Sequence, residues 1–534
     1  MKNEKLFDAI TEIDEKYIDE ANTEKIHVKK GLSWKVWGTV AACLVVAAAV
    51  GTVIRFFPPG ASAGGGTNRE PGSNYMSYAG PAFPLATLED VSGIIFERST
   101  DFDFSPYYPY EDSYEDSDGE TVTYEVYDDD VWVTDSYIAK NTTDEDITFT
   151  AVYPFAGSIR TETDRIPSVT IDGSAAETEL KIGPYSGGFS PAWGDESGES
   201  ISLNLSSIES WDEYKALLEN GEYLKAAFAE KPTLDQSVIV YSFDIEYNID
   251  MEEFDKIDNP DALVTFDCDY EKSGVMFIGF NGMTWSREEG WAKVTSSVPK
   301  SFNPDFEKNI MHIIVYGDDI DNINMKSTAG EIEHYNDERA ETDAFTVTME
   351  RREMTLGEII LETISSENYG VIYYGNDYEH TVRDMLSDEE YLGFVAEFMY
   401  AHGQLSENPA QRYDGGRLDD VISETASVSR IMYVTFEVTV PAGESVVIET
   451  KTLREASYDF YGGREKLNIE GFDLVTRAGT NLVFEKQSAS VSNTEYIEIV
   501  YNNFGFDIEN GIMNVLLGEE EHYWMEIISK KQEE

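Results

Sequence analysis

Two cysteines and six histidines are few for a chain of 534 residues, and positive charge is scarce, with 39 Lys and Arg against 103 Asp and Glu. Each shortage excludes something. Cys43 lies inside a long apolar run and Cys268 far outside it, so no disulfide framework is expected, a pattern that fits a bacterial exterior better than an animal secretory route. The histidines (His27, His312, His334, His380, His402 and His522) are scattered, and no H-E-x-x-H zinc motif occurs. There is no G-x-G-x-x-G turn or Walker loop, and the one G-x-S-x-G match, residues 60–64, falls in a Pro/Gly/Ser-rich stretch rather than between a strand and a helix. A formal net charge of -64 leaves no basic footprint for phosphates, which argues against a nucleic-acid partner. Paired carboxylates could in principle serve a glycosidase, but with so many acids any pair is expected by chance. The expectation is a protein without catalytic activity, and a carboxylate-based glycosidase is the weakest of the readings.

What is present is apolar and aromatic material for folded cores. Hydrophobic residues make up 41% and aromatics 13%, too much for a disordered acidic polymer, and the length calls for more than one core. The charge is unevenly placed. Residues 1–57 hold eight basic and eight acidic side chains, so the entire excess of negative charge lies beyond residue 57.

From Val36 to Ile54 nineteen residues carry no charge, enough helix for about 28 Å at 1.5 Å per residue. Trp34 and Trp37 stand at one end and Phe56 and Phe57 at the other, as interfacial rings do. Lys25, Lys29, Lys30 and Lys35 precede the run, which places the N-terminus in the cytoplasm and the bulk of the chain outside the cell membrane. The bilayer is thus an expected partner of residues 36–57. Two rivals are cleavage after the "ASA" of residues 61–63 and lipidation at Cys43; the long polar segment ahead of the run and the apolar residues after Cys43 count against them.

The expected organisation is a cytoplasmic tail (1–35), the transmembrane helix (36–57) and a Pro/Gly/Ser-rich linker (58–84). A β-rich domain with one helical segment (85–335) and a second α+β domain (336–534) follow. The fold class is α+β, mainly β, with an antiparallel β-sandwich-like ectodomain interrupted by helices. "ITFTAVYPF" puts Ile147, Phe149, Ala151, Tyr153 and Phe155 on one face, and "NTTDED" reads as a turn pairing it with "VWVTDSYIAK". "MYVTFEVTV" alternates in the same way before "PAGES", and "LVTFDCDYE" places Cys268 with Val264, Phe266 and Tyr270 as a buried thiol. Ser210/Glu213, Thr355/Glu358 and Ser387/Glu390 carry the capping-box spacing of helix starts.

The segments "LFDAITEIDEKYIDEA", "WKVWGTVAACLVV" and "DSYIAKNTTDEDITFTAVYPFAG" resemble a group of uncharacterised bacterial single-pass membrane proteins with large extracytoplasmic β-rich regions. Their layout is similar to that of membrane-bound anti-sigma regulators. The resemblance implies no catalytic residues, and residues 1–35 hold only His27 where one anti-sigma class has a zinc-binding His and Cys cluster.

Two candidate sites remain. Leu6, Ile10, Ile13 and Tyr17 form an apolar stripe on a helix otherwise covered by acids, a docking face for a cytoplasmic protein. "YEDSDGETVTYE" matches a calcium loop at Asp116, Asp118, Gly119 and Glu125, although Tyr114 stands where a carboxylate is needed and the flanks read as strand; a solvated acidic hairpin turn is the competing reading. Calcium is the only cofactor the sequence suggests. The aromatic stretch 101–114 admits either sugar stacking or core packing. The leading functional expectation is a membrane-anchored extracytoplasmic sensor or regulator; the alternative is a surface binding protein for a glycan, metal ion or protein, its ligand not named by the sequence.

Overall fold

The computed structural model describes residues 75–115, 121–186, 210–301, 310–330, 339–366, 380–401, 403–405, 417–461 and 469–530. The tail, with Leu6, Ile10, Ile13 and Tyr17, and the apolar run 36–57 lie outside the described residues. Strand accounts for 48% and helix for 16%, so the mainly β, α+β expectation holds for the body, built from several antiparallel sheets. Period-two alternation places the core. Phe149, Ala151, Tyr153 and Phe155 of Ile147–Gly157 are buried together with Met432, Val434, Phe436 and Val438 of Arg430–Val440.

Those two strands pair along their whole length, flanked by Glu179–Ile182 and Ala86–Thr87, in a four-stranded sheet. Facing it is a seven-stranded sheet ordered Asn514–Leu516, Phe484–Ser492, Ile94–Asp103, Val131–Asn141, Ser445–Arg454, Ser168–Ile171, Ser174–Ala175, in which only the Ile94–Asp103/Phe484–Ser492 pair is parallel. The far end of this long sheet packs, through Phe102, Val131 and Val133, on a five-stranded sheet of Tyr75–Tyr78, Tyr458–Tyr461, Ile469–Val475, His522–Ser529 and Ile497–Asn502.

The turn "NTTDED" does not make the expected hairpin. Val131–Asn141 pairs with Ile94–Asp103 and Ser445–Arg454, whereas Ile147–Gly157 lies in the opposite sheet. The turn is an arch from one layer to the other, with the Asn141 amide donating to Glu145 O at 2.8 Å and Val440 O at 2.9 Å. "PAGES" makes the partner arch beside it, since Val440 and Ser445 register with Ile147 and Lys140. Alternation tells a strand which face to bury but not which neighbour to pair with, and closing two apolar faces on one another satisfies it equally.

Segments on both sides of residue 335 share these sheets. The chain builds one body from residues 75–182 and 430–530, and between them inserts a second sandwich and a helical layer. The second sandwich stacks Ser273–Ile278, Met311–Gly317, Ser237–Tyr247 and Phe345–Thr355 on Gly282–Ser286, Trp291–Ser297, Asp261–Asp267, Asp321–Ala329 and Ala340–Glu341. Cys268 lies in its core with Val264 and Phe266, 4% exposed, as the alternation requires.

Five helices matter here: α1 (Trp211–Leu218), α2 (Glu222–Ala227), α3 (Leu356–Ile364), α4 (Asp388–Ala401) and α5 (Leu418–Ser427). The Ser387/Glu390 and Thr355/Glu358 capping boxes close as expected, and Ser210 accepts from Glu213 N. Helices α3 to α5 fill the space between the two sandwiches, packing Ile359, Tyr391 and Ile422 against Val238 and Ile314. Helices α1 and α2 cover the outer face of the four-stranded sheet, with Tyr214, Leu217 and Tyr223 against Val152 and Ile431. Residues 75–83 belong to this body although their composition reads as linker: Tyr75–Tyr78 is a strand, and Ala82 and Phe83 are 1% exposed.

Candidate functional site

A cleft of about 550 Å³ opens where α1, α2 and the loop following Ile469–Val475 meet over the four-stranded sheet. Tyr433 lies on the opposite side of its strand from the buried Met432 and Val434, which points it away from the sandwich core and toward the helices. One wall is the α1–α2 turn, held open by Gly221 at φ +70°, where a side chain would strain the backbone. The other wall is Arg477–Asn481. Asn481 pins it to the sheet like an extra rung: its Oδ1 accepts from Thr87 N at 3.0 Å and its Nδ2 donates to Thr87 O at 2.9 Å.

The charges lining the cleft are unusual for so acidic a body. Lys215 pairs with Glu521 at 2.5 Å, and Lys225 with Glu222 at 2.6 Å. Arg477 is exposed and has no carboxylate partner among the described residues. Tyr433 is 1% exposed, and its hydroxyl is buried without a hydrogen-bond partner among the described residues. Burial, reinforced by the neighbouring Tyr223, pushes that phenol well above its ordinary pKa, so it stays protonated and able to donate.

Beside the cleft lies a buried polar node. Asp473 is 0% exposed; its Oδ2 accepts from the Tyr78 hydroxyl and lies 2.6 Å from His522 Nε2, while its Oδ1 has no partner among the described residues. The His522 ring stacks on Trp211 of α1 at 5.1 Å, and Tyr214 of α1 donates to Ala79 O at 3.3 Å. Burial and Asp473 raise the Tyr78 phenol far above its usual range, which keeps it a donor. Helix α1 therefore contributes Lys215 to the cleft and Trp211 and Tyr214 to the node that holds the strand Tyr75–Tyr78.

The sequence-derived candidates fall elsewhere. Asp116 and Asp118 lie outside the described residues. Glu125 sits on Thr121–Val126, which pairs with Tyr110–Glu115 as a two-stranded hairpin, so the flanks are strands. Among the described residues no cluster of three metal-ligating side chains forms, and no helix is long and apolar enough to cross a membrane. Of the aromatic stretch, Phe102, Phe104 and Tyr107 are core residues, with Phe104 edge-on to Phe472 at 5.6 Å, while Tyr110 is exposed. His312 is 9% exposed on the strand Met311–Gly317; burial depresses its pKa to about 4.

Sequence reasoning missed Tyr433, Arg477, Asp473 and His522. Only Asp473 left a trace, as a lone acid in the otherwise apolar "FDLV". Compared with protein-family models, curated proteins and solved structures, the chain matches none, and its own residues are what a functional reading has to stand on.

Proposed function

We propose that this chain is a membrane-anchored extracytoplasmic sensor or regulatory protein without catalytic activity, in which filling the cleft is felt by the first described strand that follows the anchor in sequence. One observation carries the reading. Helix α1 lines the cleft with Lys215 and also touches, through Trp211 and Tyr214, the Asp473 node that holds Tyr75–Tyr78. That strand is the first described element after the apolar run 36–57 and, among the described residues, pairs on one side only, with Tyr458–Tyr461. An edge strand of four residues tied by few bonds is a low-cost element to shift. A ligand that favours one position of α1 can bias it, provided its affinity differs between the two positions.

The reading requires the N-terminus inside and the body outside. Protease added to intact cells should strip the body and spare residues 1–35; a mature chain beginning at Gly64 or Cys43 would remove the anchor and the relay with it. It also requires a cytoplasmic partner for Leu6, Ile10, Ile13 and Tyr17. A peptide of residues 1–32 should capture a protein that the same peptide with Ile10→Asp and Ile13→Asp does not. Equal capture by both would leave a surface binding protein, whose cleft serves retention rather than signalling.

A further inference from the structure

We propose that the cleft beside α1 takes a small organic anion, a solute carrying a carboxylate or phosphate group on a polar skeleton, with Arg477 and Tyr433 as its principal contacts. The inference rests on the cleft being the ligand site of the proposed sensor, and it adds the chemistry of the ligand.

The first support is the isolation of Arg477. Beyond residue 57 the chain holds 95 acids and 31 bases, so an exposed arginine meeting no carboxylate among the described residues runs against the composition. A guanidinium presents a planar fork of donors that matches an oxyanion with two parallel hydrogen bonds. The second is Tyr433. A hydroxyl buried without a partner is a costly arrangement, and in a cleft lining it is one that a bound acceptor completes.

The third is the way the remaining charges cancel. Lys215 faces Glu521 and feels the exposed rim residue Glu219, and Lys225 faces Glu222, which leaves Arg477 as the lining charge with no ion pair among the described residues. A cation would find better company almost anywhere else on this surface. A neutral sugar would serve Tyr433 but leave Arg477 unused. The volume suits a solute of monosaccharide or nucleotide size. Repulsion from the distant acids is screened over about 8 Å at physiological ionic strength, so contacts inside the cleft decide the outcome.

The test uses the full chain in detergent micelles, titrated calorimetrically with glucuronate and with glucose 6-phosphate, against glucose as the neutral control. One or both anions should bind saturably and glucose should not; which anion binds separates carboxylate from phosphate recognition. Arg477→Gln, at an exposed position, should lower the anion affinity about tenfold or more, and Tyr433→Phe several-fold, both with wild-type melting temperatures. Glucose binding as well as glucuronate, an unchanged affinity in Arg477→Gln, or no saturable binding of either anion up to millimolar concentration would each overturn the assignment. Saturable, Arg477-dependent anion binding that leaves hydrogen exchange at residues 75–82 unchanged upholds the ligand class and removes the relay.

Discussion

Removing the Tyr78 hydroxyl tests the relay most directly. In Tyr78→Phe the ring keeps its packing at 5.7 Å from Tyr214, but the buried Asp473 Oδ2 loses the Tyr78 hydroxyl donor and keeps only its contact with His522. A hydrogen bond to a charged group contributes about 1.5–3 kcal/mol. Because Tyr75–Tyr78 is an edge strand, that loss falls on its local detachment rather than on unfolding of the sandwich. At 1.4 kcal/mol per decade, amides of residues 75–82, including Ala79 N on Ser457 O and Ala82 N on Asp473 O, should exchange roughly ten- to a hundredfold faster. Hydrogen exchange by mass spectrometry on the full chain reads this, with Ile147–Gly157 as the internal standard. Unchanged protection of 75–82, or an equal loss in both regions, would refute the view of Asp473 as a local latch.

How far the sequence foretells this structure depends on which interactions are local. Strand faces and helix starts are written in neighbouring residues, so the alternation at 147–155 and 432–440 and the pairs Thr355/Glu358 and Ser387/Glu390 could be read directly. Partner choice is not local. The arches at 141–146 and 441–445 have the composition of hairpin turns, and nothing in them tells that the following strand crosses to the other sheet. For the same reason the insertion of residues 183–429 into a body made by 75–182 and 430–530 escapes a reading that assumes consecutive domains.

Long-range polar contacts are half-legible. Arg98 is in phase with Phe96 and Phe102, and Asp135 with Val133 and Tyr137, so each alternation pattern already puts a charge on the buried face. Opposite charges in that position are affordable only as a pair, and the structure joins them by two bonds of 3.0 and 2.9 Å. The cleft had no such signal. Tyr433 looks like any tyrosine on the second face of a strand, and Arg477 becomes unusual only when its surroundings are known.

The remaining predictions concern charge. Asp135→Leu, which strands a fully buried guanidinium, should cost about 3–5 kcal/mol in denaturant unfolding, and adding Arg98→Met should recover part of it. Recovery is incomplete because Val475 O and Phe83 O then lose the donors at 2.7 and 3.2 Å; a double mutant as unstable as the sum of the singles would sink this account. Calcium should raise the melting temperature of the full chain more than sodium at matched ionic strength if Asp116, Asp118 and Glu125 hold an ion, and an equal rise would reduce the effect to screening. His312 supplies a pH test whose sign follows from its burial. Burial lowers its folded pKa to about 4, and the nearby Glu362, held by Arg352 through bonds of 2.9 and 2.8 Å, offsets this only in part. An unfolded histidine titrates near 6.5, so between about pH 6.5 and 4 the unfolded chain binds a proton that the folded chain refuses. The stability contributed by neutral His312 is complete above that window and drains away as pH falls through it, by about 3 kcal/mol in all. Carboxylates titrate over the lower part of the same range, so the informative quantity is the difference between wild type and His312→Leu. Their stability curves should converge as pH falls from 6.5 to 4; parallel curves would mean that His312 is hydrated or already charged in the folded protein.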